Sequence, residues 1–175
     1  LPYHHTAIDY RVIYGRKTFN EYFKFAFVRN PWDRLYSAFR YLKAGGWDEN
    51  DRQWAAEHLA GIDDFDTFMR EWMTRDMTGS HLHFRPQSEF ICDGRNRLLV
   101  DYLGYFETLQ QDFGEVAARL GIDATLESRN VSPVGSYRDV YDETTRKIVA
   151  DIYARDIDLF GYDFDGIRRR RRIEQ

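Results

Sequence analysis

Arg29 and Ser37 are the pair in this chain best placed to hold an anion, and five histidines, His4, His5, His58, His81 and His83, supply the side chains suited to move a proton near neutral pH. The anion argument is geometric. Residues 23–28 read as a strand, with Phe23, Phe25 and Phe27 alternating against Lys24, Ala26 and Val28, apolar on one face and nearly so on the other. Helix-start signals follow directly: Asn30 as a cap, Pro31 where a missing N–H would be unpaired anyway, and Asp33 against the positive end of the helix dipole. Arg29 therefore falls at the carboxyl end of a strand. Ser37 lies two turns into the helix, where side chains lean back toward the N-terminus. Local hydrogen bonds at an ordinary strand-to-helix junction would use the same residue types.

The elements around this pair suggest an α/β domain. Leu35, Phe39 and Leu42 mark the buried stripe of the helix that Gly45-Gly46 ends. A polar helix is expected over 50–59, and another opens at Asp64 with Phe65, Phe68, Met69 and Trp72 as core. Residues 88–92 and 98–102 read as a hairpin about the turn 93–96. Thr108 with Gln111 suggests a capping box, and Gly121 ends that helix. A final helix is expected over 144–159, lined by Ile148, Val149, Ile152 and Tyr153. The first 14 residues are mixed, with a helical reading from Ile8, Val12 and Ile13.

Composition narrows the class. A chain of 175 residues is one domain in size, and 17% aromatic content supports a dense core. A formal charge of -4 argues against a generic nucleic-acid binder. The run Arg168 to Arg172 is expected to be part of a basic, flexible tail over 166–175, with an acidic polysaccharide, membrane or nucleic acid as its conceivable partners. Cys92 is the only cysteine, so no internal disulfide forms; this fits a cytoplasmic protein. No stretch is apolar enough to span a membrane.

The segment VRNPWDRLYSAF, residues 28–39, resembles the 3′-phosphate-binding motif of sulfotransferases that use the donor PAPS, with its arginine and serine at Arg29 and Ser37. The wider resemblance is to the carbohydrate branch. It takes in His4-His5-Thr6-Ala7, HFRPQSEFI over 83–91, DYLGYFETLQQD over 101–112, Asn130-Val131-Ser132 and LFGYDF over 159–164, in the family's order. The resemblance implies a P-loop-NTPase-like fold, a mainly parallel sheet flanked by helices, in one sulfotransferase-like domain over 1–175. It implies sulfuryl transfer from PAPS to a carbohydrate hydroxyl, with PAP as product, no metal, and an oligo- or polysaccharide acceptor.

In-line transfer of this kind needs a held donor, stabilised leaving charge and a base. By the resemblance, Arg29 and Ser37 hold the 3′-phosphate, and Arg129 and Asn130 are candidates in a loop that closes on the nucleotide. These two would serve equally as turn residues, and Asn130-Val131-Ser132 also fits a glycosylation sequon. His5 is the first candidate base and His83 the second, each with a structural hydrogen-bonding role as the alternative. His58 falls in a helix that reads as surface. Arg85 would meet an acidic sugar or the donor, or pair with a surface carboxylate. Histidines without cysteine pairs or an HExxH pattern give only a weak metal signal.

One family element has no counterpart. A strand and glycine-rich loop with a lysine, which hold the 5′-phosphosulfate, are not seen upstream of His4, so the fold is expected to lack its first strand and the domain to be incomplete at its N-terminus. Lys17-Thr18 does not supply the loop, because Phe19, Asn20 and Glu21 leave too little chain for the helix it must open. The alternative to an enzyme is thus a non-catalytic nucleotide- or glycan-binding module derived from a sulfotransferase. Among enzymes, a phosphoryl-transfer kinase of the same broad fold is the runner-up. The oligomeric state is not readable from the sequence.

Overall fold

The computed structural model describes residues 4–127, 135–171 and 173. Its helices and strands surround a short parallel pair. Strand β1, Phe25–Val28, pairs with β2, Tyr102–Tyr105, in the register Phe25 to Tyr102 through Val28 to Tyr105. Asp101 starts the pairing: its carboxylate accepts from the Lys24 N–H (2.8 Å) and meets Lys24 Nζ at 2.7 Å, while its own N–H donates to the Lys24 carbonyl. The strand is therefore shorter than expected, with Phe23 and Lys24 leading into it.

Helices α1, Ala7–Tyr14, and α2, Arg16–Glu21, precede β1. The second corrects the reading that too little chain follows Thr18 for a helix. Thr18 lies inside α2, and a helix rather than a strand precedes it, so the segment still lacks the context of a phosphate loop. Helix α3, Pro31–Lys43, begins as read: the Asn30 side chain accepts from the Trp32 N–H at 3.0 Å and Pro31 takes the first position. Its face of Leu35, Ala38, Phe39 and Leu42 is buried.

Helix α4, Glu49–His58, has no buried residue of its own. Beyond it, Asp64 caps α5, Phe65–Thr67, which runs on as one wider turn over Phe68–Trp72. Phe65, Phe68, Met69, Trp32, Phe84, Tyr141 and Tyr153 form the larger core, and Val28, Leu103, Tyr105, Phe160 and Tyr162 form a smaller one on the sheet.

Three local readings are corrected. Ser88–Ile91 is a short helix, α6, because the Asp156 carboxylate accepts from the N–H groups of Gln87 (2.6 Å) and Ser88 (3.0 Å). Of the expected hairpin only the Cys92 to Leu98 bridge is present. The capping box at Thr108 is absent; its hydroxyl donates instead to Asp112 Oδ2 at 2.8 Å, although α7, Leu109–Leu120, ends at Gly121 as expected. The final helix divides at Tyr153 into α8, Glu143–Ile152, and α9, Ala154–Phe160, and the Tyr153 hydroxyl donates to the Phe84 carbonyl at 2.6 Å.

After α9 the chain forms a small antiparallel pair, β3, Tyr162–Asp163, with β4, Gly166–Ile167. Residues 168–171 then fold back, in contrast to the flexible tail expected from 166 onward. Arg168 and Arg169 N–H groups donate to the Gly161 carbonyl, and Arg170 Nη1 donates to Asp112 Oδ1 at 2.8 Å. Gly161 makes this return possible, with φ of 71° and a Cβ position only 1.9 Å from the Arg169 carbonyl oxygen. Gly161→Ala is expected to destabilise the protein by about 2 kcal/mol or more, read as a lowered thermal midpoint. No helix of the described residues is long and apolar enough to cross a membrane.

Candidate functional site

The junction of β1 with α3 is fixed by side chains that arrive from distant segments. Gln87 brackets Arg29, its Oε1 accepting from the Arg29 N–H and its Nε2 donating to the Arg29 carbonyl, both at 2.9 Å. Glu107 Oε1, just beyond β2, accepts from the Asn30 N–H at 2.7 Å, while Tyr162 donates to the other carboxylate oxygen at 2.8 Å. The Asn30 amide donates to the Asp163 carbonyl at 2.8 Å. Every polar backbone group of Arg29 is thus engaged, and the side chain is presented from a rigid base.

The Arg29 guanidinium is aimed rather than used up. Its Nε donates to Asp33 Oδ2 at 2.6 Å, and its face lies over the Phe106 ring at 4.4 Å. Its terminal nitrogens have no hydrogen bond among the described residues. Asp33 and Ser37 are one helical step of four apart, so the pairing with Asp33 carries the guanidinium toward the face that holds Ser37. Ser37 is half-buried, and its hydroxyl has no hydrogen bond among the described residues. A forked cation and a hydroxyl on one face suit a phosphate or sulfate group. Arg129 and Asn130 lie outside the described residues.

Arg34, a residue to which the sequence reading gave no role, directly follows Asp33 in α3. Burial holds its guanidinium below the usual arginine range against the support of Tyr153 and Asp156, and the like charge of Arg29 lowers it further. His83 lies within its electrostatic reach. Burial, then His81, Arg34 and His4, push the His83 imidazole down to about 4 against the pull of Asp51, so the ring is neutral at neutral pH.

The His4-His5 and His83-Arg85 segments come together, because α1 packs on α6. His5 sits edge-on to Tyr10 at 5.6 Å, with its Nε2 buried and without a partner among the described residues. It lines an apolar cavity of about 640 Å³, with Tyr10, Phe19, Phe25, Phe90 and Val100. The cavity walls include Phe25 and Ala26 at the start of β1 and Leu99 and Val100 in the segment leading to β2. Arg85 donates to Glu89 at 2.8 Å and lies over Phe90 at 4.9 Å, so it is engaged with a neighbouring carboxylate. His58 stacks on Trp54 in α4, and the same indole packs against His81.

Gln87, Glu107 and Arg34 are the residues around this junction that the sequence left without a role. The first two lie in the segments 83–91 and 101–112, but nothing in their type shows that they clamp a backbone 58 and 77 residues away.

A model of the family described as "Sulfotransferase family" matches residues 5–163, a range that includes His5, Arg29, Ser37, His83 and Arg85. An uncharacterized protein of Archaeoglobus fulgidus is 28% identical over 128 residues, which cover 72% of this chain and 91% of that protein. No solved structure matches.

Proposed function

The chain belongs to the sulfotransferase family, and from that premise we propose that it transfers a sulfuryl group from PAPS to a hydroxyl of an oligo- or polysaccharide. The observation that carries this reading is the Arg29 guanidinium, held between Asp33 and Phe106 on a clamped junction with its terminal nitrogens available on the Ser37 side. In the proposed reaction the acceptor oxygen attacks sulfur as the bond from sulfur to the bridging oxygen breaks, PAP departs, and the acceptor proton passes to a base. Arg29 and Ser37 hold the 3′-phosphate, with Arg129 and Asn130 closing on the nucleotide. Arg34 adds positive charge beneath the donor. His5 is the proposed base and His83 the second candidate. A neutral imidazole near 4 is a weak base in the free protein, but an anionic donor beside it stabilises the imidazolium and raises it. Arg85 is assigned to the acceptor, exchanging Glu89 for an acidic sugar.

The fold proposed for this function is the P-loop-like sulfotransferase fold. Among the described residues β1 has a strand partner on one edge only. We assign the other edge to the family's first strand. Its glycine-rich loop and lysine would reach the carboxyl end of β1, next to Arg29, and hold the phosphosulfate.

Calorimetry with PAP and ADP tests the donor. PAP is expected to bind at least tenfold more tightly, because the 3′-phosphate is the group Arg29 and Ser37 hold. Equal affinity would defeat the PAPS reading and favour a kinase-like use of the fold. Transfer of labelled sulfate from PAPS to a panel of glycans tests the reaction, and tight PAP binding without transfer to any acceptor would leave a non-catalytic binding module.

A further inference from the structure

We propose that Asp51 is a positioning residue for His83, acting through His81 and through Tyr41, which stands one helical step of four beyond Ser37 on α3. The proposal rests on the reading of His83 as part of the transfer site. Asp51 stands in the first turn of α4, with its side chain only 14% exposed. One oxygen accepts from the Tyr41 hydroxyl at 2.5 Å and from the Trp47 N–H at 3.0 Å. The other lies 3.3 Å from His81 Nε2. No lysine or arginine is paired with it among the described residues. Burial raises the Asp51 carboxyl, but the Tyr41 hydroxyl, the Trp47 N–H, His81 and His83 outweigh it and hold it below the usual carboxylate range, so the carboxylate is charged at neutral pH.

What this arrangement does is fix two rings. Burial and the Asp51 bond push the Tyr41 phenol up to about 12, so it remains a donor throughout the physiological range. His81 Nδ1 faces the His83 N–H at 3.4 Å, which leaves the proton on Nε2 for Asp51. Trp54 backs His81 at 4.7 Å. The His83 imidazole then packs between these two held rings, 4.8 Å from Tyr41 and 5.1 Å from His81. Its own nitrogens make no hydrogen bond among the described residues. The other charged or titratable groups acting on it are Arg34 from α3 and His4 from the segment before α1. His83 is thus oriented by packing from behind, with its nitrogens left for a ligand.

The chain turn beside this cluster is shaped to admit Asp51. Gly46 has φ of 62°, and a Cβ there would fall 2.2 Å from the Asp51 Cβ. Only glycine lets the turn after α3 close over the carboxylate.

Asp51→Asn and Tyr41→Phe test the proposal in the full chain, each checked first by thermal melting. With Asp51→Asn, kcat for sulfate transfer is expected to fall roughly tenfold or more while KM for PAPS stays within about twofold, as for a displaced reacting group. Tyr41→Phe is expected to act the same way to a smaller degree, and the double variant to be no worse than Asp51→Asn, since both interrupt one path. A folded Asp51→Asn protein with unchanged kcat, or effects of the two changes that add, would overturn the proposal. The carbon and proton shifts of the His83 ring at pH 7 give a readout that does not depend on turnover: they are expected to move toward free-imidazole values in Asp51→Asn. If the unmodified protein transfers no sulfate, the transfer reading fails and the ring shifts decide alone, with identical His83 signals in both proteins counting against positioning by Asp51.

Discussion

Arg29→Ala is expected to weaken PAP binding about 100-fold, equivalent to roughly 2.8 kcal/mol, while the thermal midpoint moves by no more than a few degrees. The two effects separate because the structural work at this position is done by the backbone. Gln87, not the guanidinium, engages the Arg29 N–H and carbonyl, and Glu107 and Asp163 secure the next residue. The side chain's own partner, Asp33, is 24% exposed and recovers water when the arginine is removed. Arg29→Lys would keep the charge and lose the fork that grips two phosphate oxygens, so about a tenfold loss is expected there. Ser37→Ala removes one hydroxyl donor and should weaken binding severalfold. Raising the salt concentration should narrow the gap between the parent and Arg29→Ala, since part of the arginine's contribution is screened charge attraction. Titration by calorimetry at two ionic strengths reads all of these. An Arg29→Ala protein with unchanged PAP affinity would remove the 3′-phosphate assignment.

This separation also explains how much of the site could be read from the sequence. Arg29, Asn30, Pro31 and Ser37 were legible because their relation is local: a strand end, a cap and two helical turns set their geometry within ten residues. Asp64 as a cap and Gly121 as a stop were legible for the same reason. The clamps on that junction were not. Gln87 and Glu107 act on backbone groups of Arg29 and Asn30, and no pattern of residue types records which side chain will meet which amide after folding.

The misread elements share this cause. Phe90, Ile91 and Cys92 form a short apolar run, which periodicity alone does not assign to strand or helix. Asp156, 68 residues away from Ser88, decides it by accepting two N–H groups at the start of α6. The division of the last helix at Tyr153 likewise accompanies a hydroxyl bond to Phe84, in a segment of unbroken helical periodicity. His83 and Asp51 show the functional side of the same limit. The histidine type was visible, but the Tyr41 ring packed on it comes from α3, and the Asp51 carboxylate that holds Tyr41 and His81 comes from α4.

The largest expected effect on stability belongs to Asp112, whose replacement by alanine should lower folding stability by about 3 kcal/mol and the thermal midpoint by about 6–12 °C. Asp112 is fully buried in α7. Its Oδ2 accepts from the Tyr105 N–H at 2.7 Å and the Thr108 hydroxyl at 2.8 Å, and its Oδ1 accepts from Arg170. Alanine leaves the Tyr105 amide buried without its partner and releases the segment after β4 from the sheet. Burial raises the Asp112 carboxyl, but Arg170, the Tyr105 amide and Thr108 outweigh it, so the folded pKa lies below the unfolded carboxylate value of about 4. Its contribution is therefore fully present above that value and is lost as pH falls through the lower folded pKa. Asp112→Asn keeps an acceptor but has no charge to lose, so its stability should fall less steeply with acid below about pH 4 than the parent's. Equal acid slopes in chemical unfolding would refute this linkage. Asp112 also supports the junction that carries Arg29, since the strand end it holds runs into Glu107, the residue that accepts from the Asn30 amide. Asp112→Ala should accordingly weaken PAP binding together with the thermal midpoint, where Arg29→Ala weakens binding alone.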